Sequence, residues 1–369
     1  MKHLRLLLSL CIIPCLISPG YGASTNFHGK KRLLVVDSYH REYIWSQETN
    51  EGICAAMLKF GYFDKKEQIA EYIKNDYVET SKVIIKKLWL DAKRKSNKTE
   101  KEEISLKIYK IAGEFKPDLI LLGDDDAAEY IGKQFLDTEI PVVFWGVNYT
   151  PIKYGLVDCM DKPGHNVTGV YQSGYYIESL RLLKAIVPTA KTFAVLADNT
   201  PTGRSHYKAI EYLARKGALP LKLVETVSTN DYRSWKSKAL ELQKKVDVFF
   251  IAAYAGLKDK TVNYVQPEEV AKWYIHNISI PEAVGFRPFV KHGMLCAADD
   301  SGYNQGYEAV VIANDILAKG ANPATYPPRA PKRGPHMVNI QRAKMLGITL
   351  TKDMGIEEYI GEAANLKGN

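Results

Sequence analysis

Four short polar stretches carry the residue types that can do chemistry. The first, Ser38-Tyr39-His40-Arg41-Glu42-Tyr43-Ile44-Trp45-Ser46, sets three aromatic rings among hydrogen-bonding groups. Such rings stack on an apolar or aromatic solute while the polar tips orient it; for Tyr43 and Trp45 the plain alternative is to fold back on the core. The second, Gly123-Asp124-Asp125-Asp126-Ala127, places three carboxylates at the start of a helical pattern. One of them is expected to cap that helix, worth about 1 kcal/mol. A second needs another partner, either a ligand amine or hydroxyl or a hydrogen bond that closes the structure. Asp198-Asn199-Thr200-Pro201-Thr202-Gly203-Arg204 and Ala297-Ala298-Asp299-Asp300-Ser301-Gly302-Tyr303 repeat the arrangement of polar groups just ahead of a helix. With Asn148 and Tyr254, which follow two further apolar runs, the candidate ligand-binding set is Ser38, Tyr39, His40, Tyr43, Trp45, Asp124, Asp125, Asp126, Asn148, Asn199, Thr200, Thr202, Tyr254, Asp299 and Tyr303.

These residues do not assemble into a catalytic signature. There is no G-x-S-x-G elbow, no H-E-x-x-H, no paired Cys and His, and no G-x-G-x-x-G after the first strand. The loop 198–204 contains a Gly turn able to hold a carboxylate or phosphate, but no Lys follows the Gly as a phosphate loop requires. His40 has no partner histidine at metal-binding spacing. Carboxylates on separate loops can form a glycosidase dyad, yet aspartates at helix starts are common for structural reasons alone. The expectation is therefore binding without chemistry, with no cofactor, no metal and no catalytic residue. The loops bearing Asp124, Asp125, Asp126, Asp299 and Asp300 favour a neutral or amine-bearing ligand with an apolar or ring portion.

The elements that must position these loops read as strand, polar loop and helix, repeated in each half. Arg32–Val36, Leu119–Leu122, Val142–Trp145, Phe193–Leu196 and Val248–Ile251 are short apolar runs without alternation, the pattern of strands buried on both faces of a parallel sheet. Helical periodicity fills Ser46–Phe60, Ile177–Ile186, Ser205–Lys216 and Trp235–Lys245. The fold class is α/β with two doubly wound parallel-sheet lobes joined by hinge crossings, and ligands of such sheets sit at the carboxyl ends of the strands. The polar segment Lys93–Glu103 reads as a solvated junction between helices. His165-Asn166-Val167-Thr168-Gly169-Val170 reads as a crossing between lobes, and Gly320 as the cap ending a long helix.

A chain of 369 residues, 46% hydrophobic and 25% charged, can bury two cores. Its first residues have the three parts of a cleaved secretory signal over 1–22: Lys2 and Arg5, the apolar run Leu6–Ile17, and Pro19-Gly20 before a small-residue site at Ala23. The apolar run is too short to span a membrane and Pro14 interrupts it; lipidation at Cys11 or Cys15 is the lesser alternative. The expected location is periplasmic or otherwise extracytoplasmic. Three later cysteines, Cys54, Cys159 and Cys296, do not make a disulfide scaffold. Without Lys2 and Arg5 the net charge falls from +8 to +6, and the basic residues are spread too widely for a nucleic-acid stripe.

Several runs in order, Pro117-Asp118-Leu119-Ile120, Ile140 to Asn148, Asn166 to Val170, Gly302-Tyr303-Asn304-Gln305-Gly306 and Asn339 to Ile348, resemble the ABC-transporter substrate-binding family of the type I periplasmic-binding fold. The resemblance covers Leu33 to Leu350. It implies a lobe one of 31–149 plus 298–322, a lobe two of 165–297 plus 330–365, and a monomer that captures a small organic ligand for an ABC permease. Where many members look as if they have a Thr-Pro-Ala turn, this chain has Asp124-Asp125-Asp126-Ala127. That turn, with Ser38-Tyr39-His40 and Asp198–Gly203, looks more like the extracytoplasmic sensor domains of some histidine kinases. The alternative function is a free-standing sensor that presents its closed form to a membrane receptor.

Overall fold

The structure, a computed structural model, describes residues 29–148 and 151–361. The expected signal segment 1–22 lies outside the described residues. Strands β1 (Lys31–Asp37), β2 (Tyr77–Glu79), β3 (Val83–Trp89), β4 (Leu119–Gly123), β5 (Val142–Val147) and β6 (Val167–Tyr171) form one sheet in the order β2-β3-β1-β4-β5-β6. Strands β7 (Thr192–Ala197), β8 (Lys222–Ser228), β9 (Val248–Ile251), β10 (Glu282–Val284), β11 (Cys296–Ala298), β12 (His336–Asn339) and β13 (Glu358–Ile360) form the second, ordered β13-β12-β11-β10-β9-β7-β8. All pairs are parallel except β2 with β3 and β11 with β12.

Successive side chains of a strand point to opposite faces, and here both faces are buried. Leu33 and Val35 join one core with Ile53, Met57 and Val310, while Leu34 and Val36 join another with Ile108, Ala112 and Ala128. In the second sheet Phe193 and Val195 pack apart from Ala194 and Leu196 in the same way. Helices α1 (Ile44–Lys59), α2 (Glu67–Asn75), α3 (Lys98–Phe115) and α4 (Asp124–Tyr130) cover the first sheet. Helices α5 (Tyr176–Ile186), α6 (Pro201–Arg215), α7 (Tyr232–Leu242), α8 (Pro267–Asn277) and α9 (Arg287–Lys291) cover the second.

Helix α10 (Gly302–Lys319) belongs with the first sheet, although the strands before and after it are in the second. It lies against α1 at backbone distance: a Cβ on Gly52 would collide with the Tyr303 carbonyl, and one on Gly306 with that of Thr49. Gly320, at φ 69°, ends it in the left-handed conformation that glycine adopts without strain. Helix α11 (Ile340–Met345) returns to the second sheet, where Arg342 makes a two-pronged ion pair with Glu282 at 2.9 and 3.0 Å, both side chains buried.

The chain crosses between the sheets three times. The boundary expected at 165 needs correction: Val142, Val143 and Phe144 of β5 pair with Val167, Thr168 and Gly169, so β6 is an edge strand of the first sheet and the crossing follows Tyr171. Asp300 clasps the first two crossings, accepting from the Gly174 N–H at 2.7 Å and from Gln305 at 3.3 Å. The third crossing runs beside β6 through a bridge from Val170 to Arg329.

Candidate ligand cleft

The carboxyl ends of β1, β3, β4, β5 and β6 face those of β7, β9 and β10 across a cavity lined from both lobes. The lobes touch around the cavity: the Tyr39 hydroxyl is 3.4 Å from Thr202 Oγ1, Ser205 Oγ donates to the Asn148 carbonyl at 3.1 Å, and the Trp45 and Phe286 rings meet edge to face at 5.3 Å. Tyr39 and Trp45 are thereby counted into the core of the opposite lobe.

Of the residues expected from sequence, Tyr39, Tyr43, Trp45, Asp124, Asn148 and Thr202 line this cavity. Trp45 therefore does more than fold back on its own lobe. Asp124 starts α4 in the left-handed region at φ 65°, which aspartate tolerates better than most residues. That turn brings its two oxygens within 3.0 and 3.1 Å of the Trp45 indole nitrogen. Burial, then the neighbouring Asp37 and Asp125, push the Asp124 carboxyl well above the usual carboxylate range.

The remaining expected residues are engaged elsewhere, and each has an identifiable reason. Ser38 accepts from the Ala127 N–H at 2.7 Å and donates to the Gly123 carbonyl at 2.6 Å, so a serine from another loop caps α4 in place of an aspartate. Asp125 accepts from the Asn148 backbone and side chain at 3.1 and 2.7 Å and from the Tyr154 hydroxyl at 2.9 Å. Asp126 pairs with Lys101 at 2.5 Å. His40 turns to Asp91 at 3.3 Å on the outer side of the loop. Thr200 caps α6 by accepting from the Gly203 N–H, and the Asn199 N–H donates to the Asn230 side chain. Tyr254 is buried with its hydroxyl 2.9 Å from His292 Nδ1. Asp299 accepts from the Arg287 N–H at 2.8 Å, and Tyr303 lies on α10 stacked on Tyr307. Most of the carboxylates behind the expected preference for a cation thus lie outside the cavity.

Sequence reasoning placed Asp198 in a candidate loop without naming it a ligand contact, and passed over Lys93, Gln172, His206, Phe286 and Phe289; all six also line the cavity. Asp198 is saturated within its own lobe, by Thr200 and by the Gly256 N–H at 2.8 Å. The segment Lys93–Glu103 is not a purely solvated junction: Lys93 and Lys101 are both buried, Lys93 because it follows β3 at the cavity edge. Two amide oxygens in the lining have no hydrogen-bond partner among the described residues, Oδ1 of Asn148 and Oε1 of Gln172. Their orientation is fixed, since Asn148 Nδ2 is held by Asp125 at 2.7 Å and Gln172 Nε2 by the Gly146 carbonyl at 3.0 Å.

Solved structures share this two-lobed architecture. The ABC domain in complex with L-Trp from Streptococcus pneumonia aligns with a TM-score of 0.66 at 18% identity, over 90% of this chain and 100% of that one. A ligand-free, open substrate binding protein with adhesive properties from Clostridium difficile aligns at 0.63 and 22% identity, over 89% and 99%. A conserved domain protein from Vibrio cholerae aligns at 0.66 and 20%, over 90% and 100%. No curated protein sequence matches the chain. The family model for ABC transporter substrate binding proteins matches residues 68–358, more than half of the chain, and the protein belongs to that family.

Proposed function

We propose that this protein captures a small organic ligand bearing a ring and at least one N–H donor, closes over it, and delivers it unchanged to an ABC importer from an extracytoplasmic location. The observation that carries the reading is the lining of the cavity: Tyr39, Tyr43 and Trp45 from one lobe face Phe286 and Phe289 from the other, with the oxygens of Asn148 and Gln172, unpartnered among the described residues, beside them. Rings on two sides stack on a flat ligand, contributing about 0.5–1.5 kcal/mol per aromatic pair beyond area burial. A buried amide oxygen without a donor is costly, and a ligand N–H removes that cost. The L-Trp held by the Streptococcus pneumonia relative combines a ring with such donors.

The test is a thermal-shift panel on ligand-stripped protein with aromatic amino acids, aromatic amines, nucleobases and sugars, followed by mass spectrometry of the recovered compound. A ring-bearing N–H donor should raise the Tm and return unaltered. A chemically changed compound, or a response to sugars alone, would refute the reading. N-terminal sequencing of the exported protein should begin near Ala23.

A further inference from the structure

Two groups in the cavity wall point to a part of the ligand that the rings and amides do not explain. Lys93 is 9% exposed, lines the cavity, and has no carboxylate within ion-pair distance among the described residues. Its ammonium lies over the Tyr39 ring, 4.5 Å from the centroid, and 5.7 Å from that of Tyr43. A buried cation without a counter-ion destabilises a fold, and two tyrosine faces offset only part of that. Asp124 senses the Lys93 charge, but its oxygens are turned to the Trp45 indole.

His206 approaches from the other lobe. It is 1% exposed, lines the same cavity, and its Nε2 has no partner among the described residues. Its Nδ1 is 2.6 Å from the Tyr176 hydroxyl. Burial raises the Tyr176 phenol, which keeps its proton, and His206 Nδ1 is the acceptor in reach for that O–H. The free hydrogen of the ring then sits on Nε2. Burial, and after it the charge of Lys93, push His206 down to about 3, so the ring stays neutral beside the lysine.

We propose that Lys93 and His206 together receive a carboxylate of the bound ligand, so that one anionic group bridges the two lobes. This deepens the reading above, which it presupposes, by adding a carboxylate to the ring and the N–H donor. A single ammonium matches a monoanion, and Nε2–H supplies the second hydrogen bond that carboxylate geometry accepts. Because the two donors belong to different lobes, the carboxylate favours closure together with the ring.

The experiment measures calorimetric Kd values for L-tryptophan, L-tyrosine and L-phenylalanine, for their carboxamides, and for the matching decarboxylated amines. The wild type, Lys93→Met and His206→Phe are compared, and the unliganded Tm of each is recorded. At least one acid should bind about tenfold or more tightly than its amide, and Lys93→Met should shrink that preference to within about twofold. The unliganded Tm of Lys93→Met should equal or exceed that of the wild type, since removing an unpaired buried charge relieves the fold; a purely structural lysine would lower it. His206→Phe should weaken the acids more than the amides and provides the same test if Lys93→Met does not fold. Amides or amines that bind as tightly as the acids, or an acid preference that survives both substitutions, overturn the carboxylate bridge and leave the capture of a ring-bearing ligand standing. Silence from all three classes overturns the carboxylate bridge, and the thermal-shift panel with nucleobases then decides the reading of a ring-bearing ligand.

Discussion

Replacing Glu48 by Gln should change how stability depends on pH. Glu48 lies on α1 at the rim of the cleft, 4% exposed, with Lys291 of the opposite lobe 3.2 Å away. Burial raises its carboxyl from 4.5 to about 7, and the Lys291 charge opposes that rise without cancelling it. The folded state therefore binds this proton more tightly than the unfolded chain does. The stabilisation is complete below the unfolded value near 4.5 and is lost as pH climbs through about 7. Integrated between about pH 5 and 8, the loss is on the order of 2.5 kcal/mol. Urea unfolding of wild type and Glu48→Gln at several pH values reads it, because groups that do not sense Glu48 cancel in the difference, while Asp299, raised to about 7 by burial and then by the Glu48 charge, shifts it in the same direction. The variant should match the wild type near pH 5 and exceed its stability by roughly 2–3 kcal/mol near pH 8. A difference that stays level across the range, or that runs the other way, refutes the assignment of a proton to Glu48.

Gly52→Val or Gly306→Val should lower the Tm severely or abolish folding, because each new side chain meets a backbone carbonyl of the facing helix; circular dichroism melts check this. Arg342→Met should destabilise by about 3–5 kcal/mol, since it leaves Glu282 charged and unpaired in the core, and a second change, Glu282→Met, should recover most of the loss in urea titrations. Asp126→Asn, which breaks the buried pair with Lys101, should lower stability while leaving ligand affinity within about twofold, whereas Trp45→Phe should weaken ligand binding measured by calorimetry, because it removes the donor to Asp124 at the closing edge.

The alternation of strand, loop and helix was legible because β1, β4, β5, β7 and β9 each contain an uninterrupted apolar run. Strand β3 was not: Lys86 and Lys87 break its run, yet Lys87 is buried, 3.3 Å from Asp37 and over the Trp89 ring at 4.0 Å. Missing β3 meant missing the loop after it, and with it Lys93. Phe286 escaped in the same way, behind β10, a strand of three residues that includes the buried Glu282. His206 lies one helical turn beyond Thr202, where only the facing of α6 reveals it. The rule that ligands gather at strand carboxyl ends located the right loops; it could not tell an aspartate facing the cavity from one turned to Lys101 or Tyr154, because that depends on partners distant in sequence.

The placement of α10 also bears on how the molecule is made. Its docking face is α1, near the start of the chain, and most of the second sheet lies between them in sequence. Chains of several domains usually fold the amino-terminal unit first as it emerges from the ribosome. Here that unit lacks a wall until Gly302–Lys319 is synthesised, and the second sheet lacks β12 and β13 until later still. Neither lobe can finish until most of the chain has been made. Nascent chains should therefore remain loose until almost the whole sequence exists.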